Sequence, residues 1–456
     1  MSAKTKEISL VSGSLPKNIL LFSLPLMLSN ILQVLFNISD IAVVGRFSSA
    51  EALGSVGSCT VMVSLFTGLL IGMGGGINAL VARCIGAGDV PRLRRTVHTA
   101  FLVSLLYGVV IMAAGLCGVG ALLRLLKTKT ELYAGALLYM RVYLLGVPAL
   151  ALYNFGNGVL SASGDSRRPL YYLSAAGGIN VLLNLFFVIV CRLGVLGVAL
   201  ASAISQYVSA FLILFRLFRC RQDYSLSFGE MHLDRAISGN VLLLGVPAGL
   251  QNAIFAVANL FIQSAVNSFD TVVVEGNSAA ANADVLVFDL MAAFYLSCTT
   301  FMGQNIGAGK KKRVLQSYLL CLAYSFFAAV LAGGLLLLFG RQFLSIFTTE
   351  QAVIAEGVER LKLMACTYCI SAFMDCTIAA SRGLGKTVVP TVVVIMGSCV
   401  FRIVWIYTVF AHFRTLTSLY LLYAFSWAIT ALFEIAYFLY AYKKQMAITG
   451  TDPAGV

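Results

Sequence analysis

Long apolar segments dominate this chain. Of its 456 residues, 59% are hydrophobic and 11% are charged, whereas soluble domains have about 25% charged residues. A helix needs about 20 apolar residues to cross a bilayer. Twelve such segments occur, at approximately 18–43, 54–80, 97–122, 132–154, 170–191, 194–217, 239–267, 278–302, 314–339, 353–380, 388–411 and 417–441. The sequence therefore predicts an all-α integral membrane protein with twelve transmembrane helices, without a cleaved signal peptide.

The two halves of the sequence repeat each other. The motif IGAG at residues 85–88 returns at residues 306–309, and a basic run follows each copy. Two pairs of prolines recur at almost the same separation, close to half the length of the chain, namely Pro25 with Pro247 and Pro169 with Pro390. A membrane protein with a duplication of this size is typically a transporter. The duplication predicts two pseudo-repeats of six helices each.

The positions of the basic residues predict the topology. With the N-terminus in the cytoplasm, 21 of the 32 Lys and Arg residues fall on the cytoplasmic side, as the positive-inside rule requires. We expect a multi-pass protein of a bacterial-type cytoplasmic membrane, with both termini cytoplasmic. The predicted parts are a tail (1–16), an N-lobe with helices 1–6 (17–217), a linker (218–238), a C-lobe with helices 7–12 (239–442) and a second tail (443–456).

The net charge of +13 is therefore explained by the basic residues on the cytoplasmic side of the membrane, and nucleic acid is not expected as a partner. The eleven cysteines lie almost entirely within apolar spans, which indicates packing rather than disulfides. No Cys or His cluster suggests a metal site. Gly68, Gly72 and Gly76 recur every four residues and predict a helix face for close packing. A monomer suffices for this architecture.

Polar side chains inside the apolar spans are the signal for function, because each is costly in a bilayer unless it is satisfied. One face of the first span carries Asn30, Gln33, Asn37 and Asp40, spaced by three, four and three residues. The matching positions of the seventh span hold Asn252, Phe255, Asn259 and Ile262. Both halves thus place amides on this face, but only the first half adds a carboxylate.

Asp40 is the strongest candidate for a functional residue. A carboxylate in a low-dielectric environment holds a proton more tightly than in water, or is neutralised by a cation. The alternative is an interfacial aspartate, since residue 40 lies toward the outer end of its span. Further polar candidates for the cavity are Asn154, Asn157, Asn180 and Asn184, which otherwise join helices by hydrogen bonds. No role follows for Asp289 or Asp375, and Arg141, Arg402 and Glu434 are candidate ion-pair partners.

Several motifs of the sequence resemble those of the multidrug and toxic compound extrusion (MATE) family. The resemblance rests on the run from Asn37-Ile-Ser-Asp40 to Arg46, the two IGAG loops, TTFMGQNIGAG at 299–309, SGDSRRP at 163–169 and RGLGKT at 382–387. It implies antiport of small organic cations against H⁺ or Na⁺, with no other cofactor. It also implies that Asp40 and Asp284 bind the coupling ion or proton. Many members have Asn-x3-Asp where this chain has Asn180 and Asn184, so the second carboxylate is missing and the identity of the ion stays open.

The predicted function is thus secondary active multidrug efflux with alternating access of two lobes. The alternative is a flippase for lipid-linked oligosaccharides of the same superfamily, which would need a cavity richer in Arg and Lys. An enzyme is not expected, because no nucleophile–base set or catalytic His is visible.

Overall fold

The computed structural model describes residues 8–448, apart from the side chains of Asn37, Ala50 and Ile448. Over this range the regular structure is helical throughout, with no strand. Eleven helices are long and apolar enough to cross a membrane, and one bent pair of helices makes up to twelve spans. The predicted all-α fold with twelve spans is therefore confirmed. Residues 1–7 and 449–456 of the predicted tails lie outside the described residues.

The spans of the first half are α1 (Leu15–Phe47), α2 (Ala50–Ser58 and Thr60–Ala87), α3 (Val90–Leu125), α4 (Thr130–Leu145 and Val147–Ala162), α5 (Arg167–Leu185, with a π-helical turn at Phe186–Val190) and α6 (Val195–Arg219). Those of the second half are α7 (Arg235–Val266), α8 (Thr271–Gly307), α9 (Lys311–Leu344), α10 (Gln351–Gly383), α11 (Val388–Phe413) and α12 (Leu416–Ile448). A 3-10 turn, Phe228–Glu230, lies in the linker.

The repeated glycine motif ends a helix in each half. Gly88 follows α2 with φ of 68°, and Gly309 follows α8 with the same φ. Both glycines lie in the left-handed region, where a residue without a Cβ is favoured. Asp89 then caps α3, because its side chain accepts a hydrogen bond from the backbone of Arg92 at 3.0 Å. The motif is thus a turn between two spans, as the sequence predicts.

The fourth span is broken. Its two segments meet at an angle of 46°, and Pro148 lies in the first turn of the second segment, where its missing N–H costs no hydrogen bond. The span continues to Ala162, beyond the predicted end at residue 154. The helix passes through Asn154, whose side-chain amide donates to the carbonyl of Leu150 one turn earlier at 2.9 Å.

The described residues pack as two compact units. One contains residues 28–253 together with Ile8 and Ser9, and the other contains residues 10–27 and 254–448. The first part of α1 therefore packs with the second half of the sequence, and the first part of α7 packs with the first half. The predicted lobes, 17–217 and 239–442, follow the duplication rather than this packing, and they stay a prediction.

Inside the first unit, the glycine stripe of α2 packs against α7. A Cβ atom on Gly72 would collide with the backbone of Gly249, and one on Gly76 would lie 2.7 Å from the backbone nitrogen of Gly245. Only glycine allows two helices to approach so closely, so the predicted packing face is confirmed. In the second unit, the hydroxyl groups of Ser23 on α1 and Ser297 on α8 form a hydrogen bond of 2.7 Å.

Candidate functional site

The first unit contains a cavity of about 240 Å³. The predicted residues Gln33, Asp40 and Asn180 line it together. The other polar and aromatic lining residues are Phe36, Ser64, Thr67, Tyr139, Tyr143, Tyr153, Ser202, Ser205, Gln206 and Ser209. The sequence therefore located the parts of α1 and α5 that line this cavity. The serines of α6 were not predicted, because serine is common in apolar helices and carries no distinctive spacing.

Two neutral side chains donate hydrogen bonds to the carboxylate of Asp40. Asn184 Nδ2 on α5 donates to Oδ1 at 2.5 Å, and Ser202 Oγ on α6 donates to Oδ2 at 3.1 Å. Asn184 also donates to Asn180 Oδ1 at 3.1 Å, so both N–H groups of this fully buried amide are used. Across residues 8–448, no Lys or Arg forms an ion pair with Asp40. The negative charge of Asp40 is therefore not compensated by a cationic side chain.

Aromatic side chains form another part of the wall. The rings of Tyr139 and Tyr143 are stacked with their centroids 6.1 Å apart. The hydroxyl of Tyr143 forms a hydrogen bond of 3.1 Å with Thr67 Oγ1, which fixes the orientation of the ring. Aromatic faces attract organic cations, so this wall complements a carboxylate in the same cavity.

The remaining predicted amides of the first unit whose side chains are described lie outside the cavity, and one of them joins two helices. Asn252 on α7 donates to the carbonyl of Gly68 at 3.2 Å, and Asn157 accepts a hydrogen bond from Ser161 within α4. Like Asn154, both lie outside the lining of the cavity. Asn30 is half-buried and also does not line it. The side chain of Asn37 lies outside the described residues.

The second unit contains a larger cavity, of about 500 Å³. Three carboxylates and two guanidinium groups line it, together with Asn259 and several aromatic rings. The charged residues are Asp284, Asp289, Asp375, Arg360 and Arg402. Glu434, another candidate ion-pair partner, is buried on α12 but does not line this cavity.

Asp284 differs from Asp40 in its partners. Arg360 on α10 binds both carboxylate oxygens of Asp284, with Nη2 2.5 Å from Oδ2 and Nη1 3.3 Å from Oδ1. The hydroxyl of Tyr368, two turns further along α10, donates to Oδ1 at 2.5 Å. The charge of Asp284 is therefore neutralised within the protein. Arg360 was not among the predicted site residues, although a basic residue within an apolar span was an available signal.

Comparison with known proteins identifies relatives along nearly the whole chain. The sequence model of the family described as MatE matches residues 25–186 and again residues 247–408. The probable multidrug resistance protein YpnP of Bacillus subtilis is 30% identical over 366 residues, which are 80% of this chain and 81% of that protein. The probable multidrug resistance protein YoeA of the same organism is 26% identical over 450 residues, 93% of this chain and 94% of its own.

Solved structures share the same fold. One is described as the outward-facing conformation of a multidrug resistance MATE family transporter of the MOP superfamily. It superimposes with a TM-score of 0.89 over 99% of this chain and 100% of that chain, at 24% sequence identity. A MOP superfamily transporter from Pyrococcus furiosus superimposes equally well, at 23% identity. These two structures therefore share the fold of this chain along almost its whole length.

Proposed function

Because the chain belongs to the MatE family, we propose that it is a secondary active transporter that exports small amphiphilic organic cations in exchange for H⁺ or Na⁺. Its relatives YpnP and YoeA carry the name of multidrug resistance proteins, which supports this substrate class. The observation that carries the proposal concerns Asp40: within the described part of the chain, this cavity carboxylate accepts hydrogen bonds from the neutral groups of Asn184 and Ser202 and forms no ion pair.

In this mechanism the two ligands compete for one charge. An organic cation enters the first cavity, where ionised Asp40 attracts it and Tyr139 and Tyr143 contact its apolar surface. Electrostatic attraction is strong there because the surroundings have a low dielectric constant. When H⁺ or Na⁺ neutralises Asp40, the cation loses its counter-charge and leaves. Competition makes the two affinities reciprocally linked, and alternating access of the two lobes makes the exchange vectorial.

Oxygen atoms near Asp40 suit a hard cation as well as a proton. Asn184 Oδ1 is buried and has no hydrogen-bond partner within the described part of the chain. A half-turn of this amide would direct that oxygen toward a Na⁺ bound at Asp40, with Ser202 and Asn180 as further oxygen donors. A proton needs no such rotation. Both coupling ions are therefore compatible with this donor set.

The flippase alternative receives less support. A pyrophosphate-linked substrate requires several Arg or Lys side chains, and among the described residues the lining of the first cavity contains neither type. In the second cavity, Arg360 is already paired with Asp284, which leaves the single guanidinium group of Arg402 for such a substrate. We further propose that the protein acts as a monomer in a bacterial-type cytoplasmic membrane with both termini in the cytoplasm.

The test is transport of ethidium, a fluorescent organic cation, in proteoliposomes on which a Na⁺ gradient and a pH gradient are imposed separately. We expect one gradient to drive transport by the wild-type protein and neither to drive transport by Asp40→Asn. Asp223→Asn, which removes an exposed linker carboxylate, is the matched control and should transport normally. Gradient-driven transport by Asp40→Asn at the wild-type rate would contradict the role of Asp40.

A further inference from the structure

Matching positions of the duplication line both cavities. Three pairs share one and the same offset along the chain, namely Gln33 with Phe255, Asp40 with Ile262 and Asn180 with Arg402. Each of these six residues lines the cavity of its own unit. Where the first cavity has a carboxylate and an amide, the second has an aliphatic side chain and a guanidinium group. The charge at these matching positions is therefore reversed from negative to positive.

A π-helical turn creates the match at Arg402. The sequence separation between Pro169 and Pro390 is one residue shorter than the separation between Asn180 and Arg402. Between Pro390 and Arg402, α11 is π-helical at Ile395–Val400, while α5 is α-helical through its corresponding part. A π turn closes hydrogen bonds to the fifth residue instead of the fourth, so it accommodates one additional residue. That residue shifts Arg402 into register with Asn180.

Arg402 is buried, and its hydrogen bonds go to neutral side chains. Only 2% of the residue is exposed. Its Nε donates to Ser426 Oγ at 3.3 Å and its Nη1 approaches Asn259 Oδ1 at 3.5 Å. Aromatic rings surround the guanidinium carbon, with centroids at 4.8 Å (Tyr423), 5.5 Å (Phe255) and 5.9 Å (Trp427). A guanidinium group has five N–H donors, so most of its donor capacity remains available.

Among the described residues, no carboxylate of the second cavity forms a direct ion pair with Arg402. Asp284 is bound by Arg360, and no ion pair within 4.0 Å joins Arg402 to Asp289 or Asp375 in the described part of the chain. Asp375 interacts electrostatically with Arg382 as well as with Arg402, so its charge is shared between two arginines. Arg402 therefore keeps a positive charge for which the surrounding protein supplies no contacting counter-ion.

We propose that the cavity of the second unit is a binding site for aromatic compounds that carry an anionic group, with Arg402 as its anchor. The planar fork of a guanidinium group binds a carboxylate through two parallel hydrogen bonds, and Tyr423 and Trp427 provide the surface for the ring. This site goes beyond the proposed function, which concerns cations at Asp40.

The distribution of tryptophan gives a direct measurement of binding. The chain has two tryptophans, and of these Trp427 lines the second cavity whereas Trp405 does not. In the full-length Trp405→Phe protein, in nanodiscs of phosphatidylcholine, all tryptophan emission comes from Trp427. The probes are para-nitrobenzoate, para-nitrobenzamide and para-nitrobenzylammonium, which share a quenching ring and differ in charge. We expect the anion to bind on the order of tenfold more tightly than the amide, as for one charged hydrogen-bonded pair.

Three variants of the Trp405→Phe protein test whether the preference for the anion depends on Arg402. Arg402→Gln should abolish the preference for the anion, and Arg402→Lys should retain part of it, because the charge remains but the fork is lost. Arg141→Gln, which removes an exposed arginine outside both cavities, should retain it fully. Equal affinity of the Trp405→Phe protein for anion and amide would overturn the proposal, and so would tighter binding of the ammonium probe. Both of these measurements use the protein with Arg402 intact, so they do not depend on whether Arg402→Gln folds.

Binding at this site is also separable from transport. Asp40→Asn combined with Trp405→Phe should keep the preference for para-nitrobenzoate, because Asp40 lines the other cavity. Loss of ethidium transport with retained anion binding would support both proposals. Loss of the anion preference in Asp40→Asn would show that the signal from Trp427 does not report a site centred on Arg402, and would overturn the inference.

Discussion

Asp40 and Asp284 both line cavities, but Asp40 has neutral hydrogen-bond partners whereas Asp284 has a cationic one. Asp40 accepts hydrogen bonds from a neutral amide and a neutral hydroxyl, whereas Asp284 forms a two-point ion pair with Arg360 and accepts from Tyr368. A buried ion pair keeps its charges for the protein itself, while a carboxylate with neutral donors leaves its charge for a ligand. The contrast teaches that a membrane-embedded acid must be judged by its partners before a role is assigned to it.

The largest expected effect is on stability when the ion pair of the second unit is broken. Arg360→Met should lower the free energy of unfolding by about 3–5 kcal/mol, because it leaves the charge of Asp284 buried and uncompensated. Thermal unfolding in detergent measures the change. The double variant Arg360→Met with Asp284→Asn should recover a large part of the loss. A single variant as stable as the wild type would show that the pair does not neutralise Asp284.

Removing the amide next to Asp40 should have an intermediate effect. Asn184→Ala takes a hydrogen-bond donor from Asp40 and another from Asn180, at a cost of about 1.5–3 kcal/mol for a bond to a charged group. The same unfolding measurement applies. Asn157→Ala is the matched control, since its amide oxygen accepts from the neutral hydroxyl of Ser161, and it should be destabilised less. Equal destabilisation by Asn184→Ala and Asn157→Ala would mean that the hydrogen bond to Asp40 is no stronger than one between neutral groups.

Adding a carboxylate at the same position should change ion dependence. Asn184→Asp places a second negative charge beside Asp40, and two adjacent carboxylates bind a cation more tightly than one. If the Na⁺ gradient is the one that drives wild-type transport, we expect the Na⁺ concentration for half-maximal stimulation of ethidium transport to fall by roughly tenfold, equivalent to about 1.4 kcal/mol. Asn154→Asp, on α4 and outside the cavity lining, is the control. An unchanged Na⁺ dependence would place the coupling ion elsewhere.

The smallest expected change in stability comes from neutralising Asp40 itself. Asp40→Asn should alter the free energy of unfolding by less than about 1 kcal/mol, because an amide oxygen still accepts from Asn184 and the hydroxyl of Ser202 can accept from the new N–H. Its effect belongs to transport instead. A loss of stability comparable to that of Arg360→Met would erase the difference between the two carboxylates on which the proposed function rests.

Periodicity and the duplication were enough to predict the spans and the helix face of Asp40. These features depend on positions within one helix or on the repeat, which the sequence contains directly. The partners of Asp284 were missed because Arg360 and Tyr368 lie on another helix, and their contact depends on how α8 and α10 are rotated. The single residue added in α11 was also missed, since so small a change in the spacing of the repeat has no visible cause until the π turn is seen.

The exchange of the first parts of α1 and α7 has a consequence for biosynthesis. A ribosome makes the chain from its N-terminus, so residues 10–27 are synthesised first, although they pack with residues 254–448. The first unit is complete once α7 has been made, but the opening segment of α1 must wait for the last helices of the chain. Ser23 meets Ser297 only at that stage. A nascent chain halted before α8 would thus leave the start of α1 in contact with lipid, without the helices that it packs against in the complete protein.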